Sequence, residues 1–442
     1  MQHTSPAPAV AEIQGLYGPF TFPEKLLQKI WSRRDFDTHR ATTADGCPLR
    51  ISHTGKWNHL GGPDFTDARL GIGGAQVAGD VELHLRESDW HAHRHAADPA
   101  YSNVVLHVVL FPPRNNTTPG AGGRAIPILT LLPLLRHDLE EYVADDAIER
   151  FAGHPPSRAA EALSSIPCDE LPAVLARHAE KRWRQKIHYA RLRIDRLGWD
   201  EACHHAALEI LGYSRNRPAM LAIATLHPLE NWRQPRPSTG DRPGSFADDV
   251  FSEQTAVGAW AAQASRPANN PLTRLRQYAA WTAARPDWPR SLLHATALFG
   301  PGGTTSQSGG ARLPPVSPAA WRRANNAPAL RRRIRSEICG DALGGTRLNT
   351  FVCDGLLPLL AAQNPAGEPS LREAWHNWFA GDMPAQFARQ LRAFGVTGAR
   401  AAPARNGATQ GLLGFLLEAE AAGAANDIFR DEKDEKPTTP SP

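Results

Sequence analysis

Residues 77–90, VAGDVELHLRESDW, alternate with a period of two. Val81, Leu83 and Leu85 fall on one side, and Asp80, Glu82, His84 and Arg86 on the other. A helix repeats every 3.6 residues and would scatter these two sets, so the segment reads as a strand. Upstream, DARLGIGG (67–74) alternates Ala68, Leu70 and Ile72 and then stops at Gly73-Gly74, a pair suited to a tight turn. Downstream, NVVLHVVLF (103–111) is a β-branched apolar run fit for a strand buried on both faces.

Other segments extend this frame. PEKLLQKIWSR (23–33) places Leu26, Leu27, Ile30 and Trp31 on one face of a short helix begun by Pro23. CPLRISH (47–53) alternates, IPILTLL (126–132) reads as another strand, and PPRNNTTPGAGGRA (112–125) reads as a loop. Helix, strand, hairpin, crossover and strand make an α/β domain with a mixed sheet over 16–133. From 134 to 425 the texture changes to Ala-, Leu- and Arg-rich segments with helical spacing, running from 135–151 through 384–394 to 408–422. The expected class is therefore α+β: an N-terminal α/β domain followed by a mostly α-helical region of one or two domains. Pro/Gly linkers are expected near 232–245 and 299–318, and disordered tails at 1–15 and 429–442.

Composition bounds the function classes. The 442 residues carry a formal net charge of +4, which permits a nucleic-acid partner without requiring one. The five cysteines are widely spaced with no CxxC, against a disulfide framework or a cysteine zinc site. No apolar run reaches the ~20 residues of a bilayer span, and the N-terminus has no secretory pattern, so a cytoplasmic location is expected.

The chemistry concentrates around the hairpin. Asp64 follows Pro63 at the start of the first strand, and Glu82 and His84 leave the same face of the second. If the strands pair through Gly73-Gly74, Asp64 approaches Glu82 across the ladder. Two carboxylates suit a hard cation such as Mg²⁺ or Mn²⁺, and a basic side chain beside them can orient or deprotonate water. A solvated outer face is the plainer account of such alternation. The segment WHAHRH (90–95) is the densest histidine cluster. With His84 and His107 it is a candidate Zn²⁺-type site, with His93 and His95 on one side if the loop is extended. A polar loop and a hydrogen-bonded core histidine at 107 are the alternatives. RHAEKRWRQKIHYARLRIDRL (177–197) is a basic helix that either faces phosphates or is a solvated face whose side-chain stems cover apolar surface.

The order Pro63-Asp64, hairpin, Glu82-Leu83-His84, then strand 103–111 resembles the restriction-endonuclease-like PD-(D/E)xK superfamily. The resemblance implies that Asp64 and Glu82 ligate Mg²⁺ or Mn²⁺ with the carbonyl of Leu83, and that Glu24 on the first helix joins them. His84 stands where that superfamily has lysine. Imidazole is mostly neutral at pH 7, which puts activity in question more than metal binding. The segments FPEKLLQKIWSR, GKWNHLGGPDF, GDVELHLRESDW and DPAYSNVVLHVV also resemble an uncharacterised bacterial domain-of-unknown-function family, densely over 18–111 and more loosely around 266–277 and 348–360.

The resulting expectation is a Mg²⁺- or Mn²⁺-dependent nuclease or phosphodiesterase acting on DNA or RNA. Asp64, Glu82 and His84 are its catalytic candidates, and Glu24, His93, His95 and His107 are further candidates. Lys56, Arg86, Arg182, Arg184 and Lys186 are candidate nucleic-acid contacts. A non-catalytic scaffold that keeps the nuclease fold, and a histidine-rich transition-metal protein, are the alternatives.

Overall fold

The computed structural model describes residues 10–15, 18–59, 61–153, 162–167, 169–233, 245–260, 270–299, 318–383, 389, 392 and 405–419. The chain divides into two compact units, Met1–Asp146 with Glu253–Ala261, and Ala147–Ser252 with Ala262–Pro442. The class is α+β, with a mixed sheet in the N-terminal part and helices after it. Most of both expected linkers (234–244 and 300–317), the tails 1–9 and 429–442, and most of the helical segment at 384–394 lie outside the described residues.

The first unit opens with an antiparallel hairpin, β1 (Val10–Gly15) and β2 (Gly18–Pro23), so residues 10–15 are a strand rather than a tail. Helix α1 (Glu24–Arg33) follows directly from extended Pro23 and buries Leu26, Leu27, Ile30 and Trp31. Then come β3 (Leu49–His53), β4 (Lys56–Trp57), β5 (Phe65–Ile72), β6 (Ala75–His84), the short helix α2 (Ser88–Ala92), β7 (Val104–Val109), β8 (Thr117–Pro119) and β9 (Ala125–Thr130). These strands form one seven-stranded sheet in the order β3-β5-β6-β7-β9-β8, with β4 paired to β5. The pairs β3–β5, β5–β6 and β8–β9 are antiparallel; β6–β7 and β7–β9 are parallel. Strand β8 lies within the segment read as a loop from its Asn, Pro and Gly content.

Gly73 and Gly74 both have positive φ, 56° and 89°, as a two-residue I′-type hairpin turn requires. One face of the sheet supplies Val81, Leu83, Leu85, Leu106, Val108 and Leu110 to the main core, which α1 covers with Leu27 and Trp31. The polar face expected to be solvated is buried too: Glu82 is 5% exposed, His84 1% and His107 0%. A satellite cluster of Trp90, Val104 and Ile126, with Tyr101 against it, closes this second face.

The second unit is helical. Its longest members are α3 (Leu171–Leu197) and α4 (Trp199–Leu226), the latter interrupted at Tyr213, whose φ is 56°. This helix is thus one element with a break, which Gly212 and Pro218 flank. Among the described residues no helix is long and apolar enough to cross a membrane.

Candidate metal centre

Strand β5 carries an irregularity that decides the site. Near the turn the partners are Ile72 with Ala75 and Ala68 with Gly79, but Phe65 pairs with Val81. One residue has been inserted between Phe65 and Ala68, and Asp67 adopts a left-handed φ of 59° there. Regular pairing from Gly73-Gly74 would set Asp64 opposite Leu83, on the wrong face. The bulge sets it opposite Glu82. The Asp64 N–H donates to Glu82 Oε2 at 2.9 Å, and the Leu83 N–H donates to Asp64 Oδ2 at 3.1 Å. Gln28 of α1 donates to Asp64 Oδ1 at 2.6 Å. Each carboxyl group therefore accepts from the backbone at or beside the other residue.

Glu24, one turn before Gln28, completes a group of three acids. Burial, then the charges of Asp64 and Asp89, pushes its carboxyl up to about 8. Burial likewise raises Asp64 to about 7, against the opposing pull of Leu83 N–H and Gln28. Glu82 is raised well above the usual carboxylate range by burial first, then by Asp64 and Glu24. Glu24 Oε2 is buried with no hydrogen-bond partner. Buried carboxyls that raise one another's proton affinity, one of them with an unpartnered oxygen, fit an all-oxygen divalent cation site.

On the other side of Glu82 stand four imidazoles. His84 belongs to β6, and His107 is the parallel-register partner of Glu82 on β7, so all three share a face. His93 and His95 come from the β6–β7 connection. That connection is not extended: His93 ends α2, Arg94 turns left-handed at φ 58°, and His95 begins a 3₁₀ turn. The Arg94 kink, not strand alternation, aims both rings at one point. His84 Nε2 lies 3.2 Å from His93 Nδ1 and 3.7 Å from Glu82 Oε1. His95 Nε2 lies 3.5 Å from the same Oε1 and has no hydrogen-bond partner although it is buried. One ligand atom from each of His84, His93 and His95 fits within 4.8 Å of the others. Tyr101 stacks on the His95 ring at 3.8 Å between centroids, and the Trp90 and His95 rings meet edge to face at 5.2 Å.

Behind these, His84 Nδ1 meets His107 Nε2 at 3.0 Å, and His107 Nδ1 meets Thr118 Oγ1 at 2.7 Å, all buried. Burial depresses the proton affinity of His84, of His95 to about 4 and of His107 to about 3, so these rings are neutral near pH 7. The structure therefore brings together Asp64, Glu82, Glu24, His84, His93, His95 and His107. Gln28 and Thr118 were not anticipated. The i, i+4 spacing of Gln28 from Glu24 was the signal for the first; Thr118 sits in a strand too short to show any pattern.

The candidate nucleic-acid contacts have partners of their own. Lys56 is exposed and paired with Asp67 at 2.8 Å, and Arg86 lies over the Phe111 ring at 4.9 Å. In the helical unit Arg182 bonds Gln185 and Gln410, Arg184 bonds Glu180, and Lys186 pairs with Asp354 at 2.6 Å.

No curated protein and no solved structure matches this chain. Residues 24–240, which contain the whole frame from α1 to β9, match the model of a protein family described as being of unknown function, DUF2851.

Proposed function

We propose that the protein is a Mg²⁺- or Mn²⁺-dependent nuclease, hydrolysing phosphodiester bonds of DNA or RNA at the Glu24, Asp64 and Glu82 carboxyls. The observation that carries this reading is the crowding of those three acids, Glu82 buried and the other two partly so, with Glu24 Oε2 left unpartnered. Support also comes from element order. Helix α1, the antiparallel run β3-β5-β6 and a strand β7 parallel to β6 come in an order similar to that expected of a restriction-endonuclease-like domain, and Asp64 and Glu82 lie on or beside its hairpin.

When bound, the cation supplies Lewis-acid polarisation of a phosphoryl oxygen. The chain's own residues fix its seat. Gln28 and the Leu83 N–H hold the two oxygens of Asp64, and the Asp64 N–H holds Glu82 Oε2. These bonds orient the carboxyls before substrate arrives, which avoids reorganisation during the reaction. Lys56 is held only by an exposed ion pair, which is worth little and exchanges readily for a phosphate. His84 takes no proton from water in this reading, because its ring nitrogens face His107 and His93.

That engagement of His84 favours one second reading, a nucleic-acid-binding scaffold without turnover. Both are tested by incubating the purified full chain with single- and double-stranded DNA and RNA and Mn²⁺ or Mg²⁺, beside Asp64→Ala and Glu82→Ala. Cleavage that needs the metal and is lost in both variants supports the nuclease. Salt-sensitive binding without cleavage supports the scaffold. Cleavage indifferent to both substitutions refutes the assignment of the site.

A further inference from the structure

We infer that His84 Nε2, His93 Nδ1, His95 Nε2 and Glu82 Oε1 form a second metal site, distinct from the carboxylate site, that takes a divalent transition ion of the zinc class. Three observations converge on it. First, the measured separations of 3.2, 3.5 and 3.7 Å are close to the edge of a tetrahedron with ligands ~2.0–2.1 Å from its centre, about 3.3–3.4 Å. The widest pair among the three imidazoles is within 4.8 Å, and the half-exposed His93 side chain has room to close that gap.

Second, His95 Nε2 is a buried ring nitrogen aimed at Glu82 with no hydrogen-bond partner, in a residue only 5% exposed. Leaving such a group unsatisfied is costly, and a metal bond removes that cost.

Third, the ring behind His84 is already arranged as the outer shell of a metal-bound imidazole. For His84 Nε2 to offer its lone pair, Nδ1 must carry the proton and donate it to His107 Nε2. His107 must then donate from Nδ1 to Thr118 Oγ1, which accepts. Both bonds in that chain are satisfied when the protons run this way. Metal-bound histidines characteristically donate their second nitrogen in this way, which fixes tautomer and ring orientation. Three nitrogens and one carboxylate oxygen select a borderline transition ion over Mg²⁺, which prefers oxygen ligands throughout.

Glu82 belongs to both sites. Its Oε2 accepts the Asp64 N–H and its Oε1 faces His84 and His95. The imidazole site itself does not depend on the nuclease reading, and the test keeps the two apart.

The probe is Co²⁺ alone, titrated into untagged, chelator-stripped full chain and followed by its visible ligand-field bands, then displaced with Zn²⁺. The expected result is one equivalent of low-symmetry, intensely absorbing Co²⁺, displaced by one equivalent of Zn²⁺. His93→Ala and His95→Ala weaken binding at least tenfold; His93→Ala, at a half-exposed position, should keep the wild-type unfolding midpoint without metal. Thr118→Val, which touches no ligand, lowers affinity about 10–100-fold. Asp64→Asn abolishes any Mg²⁺-dependent cleavage and leaves the Co²⁺ spectrum intact. Weak, six-coordinate Co²⁺ absorption in the wild type, or bands unchanged by both histidine variants, overturns the inference whatever the cleavage assay shows.

Discussion

Replacing Glu24 by Gln should stabilise the metal-free protein above neutral pH while weakening its hold on Mg²⁺ or Mn²⁺. The folded-state carboxyl is pushed up to about 8 from an ordinary 4.5. A group whose folded pKa lies above its unfolded one contributes stability that is fully present below pH 4.5 and is lost as pH rises through about 8. At about 1.4 kcal/mol per unit the ceiling is about 5 kcal/mol. Glu24 is only partly buried and water relaxes around it, so about 1–3 kcal/mol is the expected gain for the variant at pH 8.5. Denaturant unfolding in chelator at pH 4, 6 and 8.5 reads this directly: the two curves should coincide at pH 4 and diverge upward. Adding Mn²⁺ at about 100 times its dissociation constant should restore about 2.7 kcal/mol to the wild type and much less to the variant. A variant less stable than the wild type at pH 8.5 in chelator, with the same dependence on pH, would show that Glu24 is held by the fold and does not await a cation.

Two other perturbations reach parts of the argument that Glu24 does not. Asp67→Gly should be tolerated, because glycine accepts the left-handed φ of 59° at the bulge. Asp67→Val should cost about 1–2 kcal/mol in unfolding experiments and abolish metal-dependent cleavage, since straightening β5 moves Asp64 opposite Leu83; full activity in Asp67→Val would separate the bulge from the site. In the helical unit, the His204 ring donates from Nε2 to the His227 carbonyl and accepts the Tyr278 hydroxyl at Nδ1, and burial lowers its proton affinity to about 3. Its contribution to stability is complete above pH 6.5 and falls by about 1.4 kcal/mol per unit as pH drops toward 3. His204→Asn should show a shallower loss between pH 6.5 and 4, and an identical slope would count against this assignment.

How far the sequence foretold this site depends on which interaction placed each residue. Period-two alternation over 77–90 reveals β6 and groups Glu82 with His84, because side-chain direction in a strand is local. Alternation cannot say that the polar face is buried. That follows from the β6–β7 connection folding back with Trp90 and Tyr101, a contact between parts of the chain that share no pattern. The bulge in β5 is invisible for a similar reason. Thr66 and Asp67 are ordinary strand-edge residues, and only the mismatch between the turn register and the Phe65–Val81 pair shows the inserted residue. Strand β8 hides inside a Gly-, Pro- and Asn-rich stretch; the Trp90 indole, donating to the Pro119 carbonyl at 3.0 Å, ties it to the site. The hairpin β1–β2 is missed because its first strand is too short and polar to rise above the tail around it. In the helical unit the cited basic residues of α3 find polar or acidic partners, which a count of charges along one segment cannot show.

The histidine at 84 is the point on which the chemistry of this chain turns. A lysine there would bring a permanent positive charge into a pocket whose neighbours are three carboxyls, and would lower their proton affinities by direct attraction. A neutral imidazole does not, and burial raises all three, with Asp64 adding to the rise at Glu24 and at Glu82. Substituting Lys for His84 alone would not restore the lysine-type arrangement. The ammonium would displace the ring that now bonds to His107 and would bury a charge among His93, His95 and His107. His84, His93, His95 and His107 therefore work as one group, in which no single ring can be exchanged for an ammonium alone. With an imidazole and no ammonium at position 84, the positive charge that suits the three carboxyls is left to an ion, and the histidine nitrogens face the place from which it would supply it.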